Sequence, residues 1–329
     1  MQTITFNSSN PSIQLFQPQH KNTMSTIFIC GATGTQGGSI IANLPGTNLK
    51  AHAVARDPSS PASEGLKKTS LVTLFQGDFN DKESLRTAMQ GCSALFLNLK
   101  PLLTDIPQEL EQAERIMSVA KEVGINHIVY SSGLIQQAEH NPYWDPDSFV
   151  ASIVRSKKAV EAAVRNAGFK NYTILRPGNF MTNYLAPYIY PMYPGLAEKG
   201  EYTTAFLPET VIPMVDPNDI GRFGVAAFED PARFDNKEIS IASELIVLGD
   251  IMRSLTKATG SEKKVNYMSH EEIDSQKKTN PFLASQLVMR DMAKLVDMDE
   301  VRSWGISLGT FDEFLQREKG RVVKTYVQQ

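Results

Sequence analysis

The feature that most limits how this chain can fold is Gly31-Ala-Thr-Gly34-Thr-Gln-Gly37-Gly38, set directly after the apolar run Thr26-Ile-Phe-Ile-Cys30. A buried strand that runs into glycines and then into a helix has a specific use. The glycines allow a sharp turn and a close backbone approach to an anion, and the helix start supplies free N–H groups and the positive end of its dipole. Gly31, Thr33, Gly34, Thr35, Gln36 and Gly37 are therefore candidate contacts for the pyrophosphate of a dinucleotide. The competing reading, a glycine-rich turn that binds nothing, is disfavoured by the strand–turn–helix context.

The rest of the chain repeats the pattern. Strands are expected from Lys50 to Arg56, Leu71 to Gln76, Ala94 to Asn98, Ile125 to Ser131 and Tyr172 to Leu175. Helices separate most of them: from the glycine turn to about Leu44, Asp81 to Gln90, Pro107 to Val123, and Pro146 to Asn166. Such alternation predicts an α/β fold, a Rossmann-type doubly wound parallel sheet with a smaller α/β C-terminal lobe. After Arg176-Pro177 the texture changes. Phe180 to Phe206 is rich in Tyr, Pro, Met and Gly and reads as an irregular lid or pocket wall. Regular elements return with a strand near Val211 to Val215, a helix from about Asn218 to Phe228 and a strand from Glu238 to Ala242. A helix from Gly249 to Thr259, a strand from Lys264 to Met268 and closing helical segments follow, the last capped by Thr310 with Glu313 three residues on. The expected organisation is a dinucleotide domain over 25–178 and a mainly substrate-binding lobe over 179–329, some of whose elements return to the first domain. Residues 1–24 are polar and read as a disordered extension. They lack the basic and apolar regions of a secretory signal.

The formal net charge of -3 gives no argument for a nucleic-acid or anionic-membrane partner. No apolar run is long enough to span a bilayer. The two cysteines, Cys30 and Cys92, form no Cys-x-x-Cys or Cys/His cluster, so no metal is expected and a reducing, cytoplasmic setting fits.

The end of the second expected strand bears on cofactor choice. NAD sites usually place an acidic residue there for the ribose 2′-OH, and NADP sites an arginine for the 2′-phosphate. Arg56 occupies that place and favours NADP(H); the alternative has Arg56 solvated and Asp57 on the ribose. Asp78 and Phe79, after the third strand, either border the adenine or form a simple turn.

These segments together resemble the NmrA-like family of atypical short-chain dehydrogenases. The resemblance rests on the glycine turn, Ala55-Arg-Asp-Pro58, Gln76-Gly-Asp-Phe79, Ser156-Lys-Lys-Ala-Val-Glu161, Ile174-Leu-Arg-Pro-Gly-Asn-Phe180 and Val215-Asp-Pro-Asn-Asp-Ile220. It spans about Ser25 to Thr259, with the flavour of fungal members that resemble accessory enzymes of secondary metabolism. It implies an NADP(H)-binding Rossmann fold with a cleft beneath a smaller lobe. The family holds reductases and also regulators that bind the dinucleotide without turnover.

Short-chain dehydrogenases commonly place a Tyr one helical turn before a Lys, so that both face the nicotinamide. Here Lys157 matches the Lys, but the position four residues earlier is Ile153. Lys157 is left with ribose and nicotinamide positioning, and proton delivery falls to it or to a replacement. Ser132 could hold a substrate carbonyl or satisfy a turn. Tyr143 is a candidate acid near the Lys157 helix, and Asn98 a candidate cofactor contact. Pro177, Asn179 and Phe180 would carry the backbone past the nicotinamide. The tyrosines at 184, 188, 190 and 193 suggest a pocket for a flat or hydrophobic small molecule. The leading expectation is an NADPH-dependent oxidoreductase. The alternatives are a dinucleotide-sensing regulator with a protein partner, or a non-redox isomerase or cyclase.

Overall fold

The computed structural model describes residues 24–100, 105–277 and 279–327; the extension expected over residues 1–24 lies outside them apart from Met24. The strands are β1 (Ser25–Ile29), β2 (Leu49–Ala55), β3 (Val72–Gln76), β4 (Ala94–Leu97), β5 (His127–Ser131), β6 (Asn171–Pro177), β7 (Asn179–Phe180), β8 (Glu201–Thr204), β9 (Val211–Val215), β10 (Lys237–Ile241), β11 (Glu244–Val247) and β12 (Lys264–Tyr267). Seven of them form one sheet in the order β3-β2-β1-β4-β5-β6-β10. Every pairing in that sheet is parallel. The order reverses between β1 and β4, and a doubly wound sheet opens its ligand crevice at such a point.

Strand side chains alternate between the two faces. Along β1, Ile27 and Ile29 face one core while Phe28 and Cys30 face another. The first five helices are α1 (Thr35–Ala42), α2 (Pro61–Lys67), α3 (Lys82–Met89), α4 (Gln108–Glu122) and α5 (Phe149–Asn166). Leu85 of α3, Ile116 of α4 and Val160 of α5 cover the Phe28 face. Ile40 of α1 packs on the Ile27 face together with Ile220 and Phe223 of the later helix Pro217–Glu229. That helix lies very close to α1. A Cβ on Gly221 would overlap the Ser39 carbonyl, and one on Gly224 would overlap the end of Ile40.

Two small sheets and several helices make up the remainder. β9 pairs antiparallel with β11 and parallel with β7, and β8 pairs parallel with β12. Tyr184, Tyr193, Tyr202, Phe311 and Phe314 share a third core. Thr310 and Glu313 form the expected capping box at the start of Phe311–Arg317. Three local expectations need correction. The α5 helix begins at Phe149 rather than Pro146, because Ser148 caps it by accepting from the Ala151 N–H at 3.1 Å. α2 was not expected, since its Gly65 and flanking serines resemble a loop, yet Ser60 caps it and Pro61 occupies its first turn. The supposedly irregular segment contains β8, whose Tyr202 and Thr204 are buried and whose neighbours are exposed. Among the described residues no helix is long and apolar enough to cross a membrane.

Candidate functional site

Two adjoining hollows, of about 640 and 600 Å³, open at the carboxyl ends of the strands and share Gly31, Arg56, Asp78 and Phe79. The glycine turn forms their common wall. Gly31 has φ +64, which glycine adopts without strain, and a Cβ there would sit 3.4 Å from the Asn98 amide nitrogen. Gly34 caps α1 with extended backbone and no side-chain cap bond. The first-turn N–H groups therefore have no local side-chain competitor, as an anion-binding helix start requires. Gly37 does not line the cleft. It is buried, and a Cβ on it would overlap the Gly31 carbonyl, so it lets α1 close against the turn.

The Gln36 side chain does more than line this wall. Ser131 Oγ donates to Gln36 Oε1 at 2.5 Å, and Gln36 Nε2 donates to Asn98 Oδ1 at 3.0 Å. One side chain thus ties the start of α1 to the ends of β4 and β5 beside the switch point. Thr35 and Asn98 line the larger hollow, and Thr33 the smaller.

At the end of β2 the two competing ligands separate. The Asp57 carboxylate accepts from both the backbone N–H and the hydroxyl of Ser59, at 2.8 and 2.5 Å. These hydrogen bonds hold its pKa below the usual carboxylate value. Arg56 lines both hollows and pairs with no carboxylate among the described residues. Ser60 and Ser63, which the sequence reading did not single out, line the smaller hollow beside it. Asp78 and Phe79 lie on the same wall, with Asp78 also accepting from the Asn80 N–H at 2.8 Å.

The opposite side of the cleft holds Lys157, Ser132 and Phe180. Lys157 is 9% exposed, so it is not a solvated helix lysine. Its Nζ donates to Glu109 Oε1 at 2.5 Å and to the Leu99 carbonyl at 3.0 Å. Glu109, in the first turn of α4, is 1% exposed, and its Oε2 accepts from Ser156 Oγ at 2.7 Å. The Tyr130 ring lies 5.8 Å from Lys157 Nζ, and burial pushes its hydroxyl well above the ordinary tyrosine pKa. Ser132 is 8% exposed, and its buried hydroxyl neighbours the Tyr130 hydroxyl.

Other candidates are not brought to this cleft. Tyr143 is 45% exposed and outside both hollows, where its ring stacks against the Arg290 guanidinium at 5.4 Å. Its position follows from the loop before α5, which packs toward the helix Pro281–Met289 through Asn141 and the Val288 carbonyl. Asn179 is buried behind the wall, donating to the Tyr193 hydroxyl at 3.0 Å and accepting from Asn183 at 3.1 Å. Pro177 pairs with Ile241 in the sheet. Both support the wall rather than line it. Tyr184 and Tyr193 stack at 4.2 Å inside the third core. Of the four tyrosines at 184, 188, 190 and 193, Tyr188 lines the larger hollow, together with Thr182 and Asn183. Gln108 and Gln112 of α4 also reach it. Among the described residues no group of His, Cys, Asp and Glu is placed to hold a metal.

Comparison with known proteins follows the same outline. The NmrA-like oxidoreductase malD of Malbranchea aurantiaca is 27% identical over 254 residues, covering 72% of this chain and 74% of that protein. A crystal structure of the negative transcriptional regulator Nmra in complex with NAD superposes with a TM-score of 0.70 at 20% identity, over 92% of this chain and 97% of that one. The NADPH-dependent quinone oxidoreductase QOR2 of Escherichia coli, complexed with NADPH, superposes with a TM-score of 0.65 at 22% identity, over 88% and 99%. The model of the NmrA-like family matches residues 23–313, and with the parallel sheet and its switch-point cleft already in place, the chain belongs to the NmrA-like family.

Proposed function

We propose that this chain is an NADP(H)-dependent oxidoreductase, of the atypical short-chain dehydrogenase type, acting on a small organic metabolite of secondary metabolism. The observation that carries the reading is the shared cleft. The glycine turn, Arg56, Lys157 and Ser132 all line it, and Arg56 has no carboxylate partner among the described residues. A relative named as an oxidoreductase and a structural neighbour complexed with NADPH support it.

The residues fit the cofactor. Gly31 holds the turn at φ +64, a conformation side chains rarely adopt, and the start of α1 suits a pyrophosphate. Arg56 would bind the 2′-phosphate, with Asp78 and Phe79 at the adenine and Lys157 at the nicotinamide ribose. NADP(H) supplies the hydride when bound. Ser132 would donate a hydrogen bond to the substrate oxygen and orient it. Phe180 and Tyr188 give the substrate wall flat aromatic surface, while Thr182 and Asn183 add polar contacts. A flat molecule with a polar edge suits such a wall. Residues 25–178 would then carry the cofactor and 179–329 most of the substrate contacts.

The second reading is a regulator that binds the dinucleotide and a protein partner without turnover. Two observations favour it. Ile153 stands where the usual acid would be, and Lys157 already spends two of its N–H groups on Glu109 and Leu99. NADPH consumption across carbonyl, imine and quinone compounds separates the readings. Turnover that falls about 100-fold or more in Lys157→Met and Ser132→Ala is expected for the enzyme. Binding of NADPH with no consumption by any compound class would favour the regulator. On either reading Arg56→Ala should weaken NADPH by about 10- to 100-fold, and NADH hardly at all.

A further inference from the structure

We propose that Glu109 is a positioning residue that aims Lys157 at the nicotinamide-ribose half of the cofactor. The inference rests on the reading of Lys157 given above. An ammonium has three N–H groups. The Leu99 carbonyl, just past β4, takes one and Glu109 Oε1 takes another. These acceptors come from two different elements, so they fix the position of Nζ and leave one N–H for the cleft that Lys157 lines.

Glu109 can play this part because it cannot move away. Its side chain is fully buried, its second oxygen is held by Ser156 Oγ at 2.7 Å, and it sits at the helix start where a negative charge is favoured. A lysine stem is otherwise flexible and loses much rotamer freedom when held. Without Glu109 the ammonium would be a mobile charge attracting any anion in the groove. With it, Lys157 becomes a directional donor whose charge is largely compensated.

The alternative is that the pair only fastens α4 to α5. Calorimetric titration of the full chain with NADP+ and with 2′,5′-ADP, which lacks the nicotinamide-ribose half, separates the two. Glu109→Gln should weaken NADP+ about tenfold, the scale of one charge-assisted contact, and leave 2′,5′-ADP unchanged. In a Lys157→Met background the same substitution should cost nothing more, because Glu109 acts through that lysine. Glu109→Asp, which keeps the charge, should recover part of the loss, and it carries the comparison if Glu109→Gln does not fold. Equal losses for both probes, a loss that persists in Lys157→Met, or no loss at all would overturn the proposal. If Lys157→Met itself leaves NADP+ binding unchanged, the parent reading of Lys157 fails, and this one with it. If Lys157→Met weakens NADP+ while Glu109→Gln does not, only the role of Glu109 falls.

Discussion

Helix α5 carries two buried charges one turn apart, and they have opposite surroundings. Lys157 turns to the cleft and meets Glu109 of α4. Glu161 turns to the sheet and receives the Arg176 guanidinium of β6 at two oxygens, at 2.9 and 2.6 Å. Arg165 and Glu238 of β10 extend that second cluster. Lys157, Glu161 and Arg176 fall within the segments that carry the family resemblance, yet of the three only Lys157 lines the cleft. A motif that reads as one functional unit therefore divides into a binding half and a half that fastens α5 to the edge of the sheet.

The comparison breaks most visibly at Arg176. Arg176→Ala leaves Glu161 buried with only Arg165 beside it, and removing one partner of a buried pair costs about 3–5 kcal/mol. Chemical denaturation should show that loss, while the folded fraction binds NADP+ with unchanged affinity. An affinity loss as large as the stability loss would join the two clusters into one.

A buried titratable group without such a partner sharpens the contrast. His127 of β5 lies 5.4 Å from the Phe228 ring, its Nε2 has no hydrogen-bond partner, and burial pushes its pKa down to about 4. The unfolded imidazole takes its proton near the ordinary value of 6.5, so between that pH and about 4 the unfolded state binds more protons. Stability due to this group is full above the unfolded pKa and falls as pH drops, by about 3 kcal/mol once the folded pKa is reached. His127→Phe should flatten that part of the stability profile measured by denaturant melts. An unchanged slope would mean that His127 has the same pKa folded and unfolded. The smallest effect is expected at Tyr143. Tyr143→Phe should alter stability by less than about 0.5 kcal/mol and leave cofactor affinity and turnover alone, since among the described residues its hydroxyl meets Arg290 alone, at 3.4 Å. A large loss of turnover would return Tyr143 to the cleft.

Legibility in the sequence followed the range of the interactions. The strands of the main sheet are short apolar runs ending in turn residues, and each was visible to within a few residues. The glycine turn was visible because its strand, its glycines and its helix are contiguous. Glu109 was not, because its partner is 48 residues away and nothing around it departs from an ordinary acidic helix start. Gln36 was singled out as part of the glycine turn, but its bond to Ser131, 95 residues away, was not legible. Tyr143 looked promising because it precedes the Lys157 helix, but chain neighbourhood does not set direction, and Arg290 from 147 residues away takes its ring. Between Phe180 and Phe206, prolines and tyrosines hid the alternation of β8, because most of those aromatics serve a separate core.

The contact of Gly221 and Gly224 with α1 bears on how the chain is made. The helix that follows the glycine turn has its rear face filled by Ile220 and Phe223, and the same core takes in Ile239 of β10. A ribosome delivering this chain from its N-terminus exposes β1 and α1 first, yet the surface they need is supplied about two hundred residues later. Until then the turn can form only loosely, because the strand is paired but the helix behind it is not backed. A nascent chain stalled before Pro217 would display Ile40 and Ile41 to solvent as a handle for chaperones.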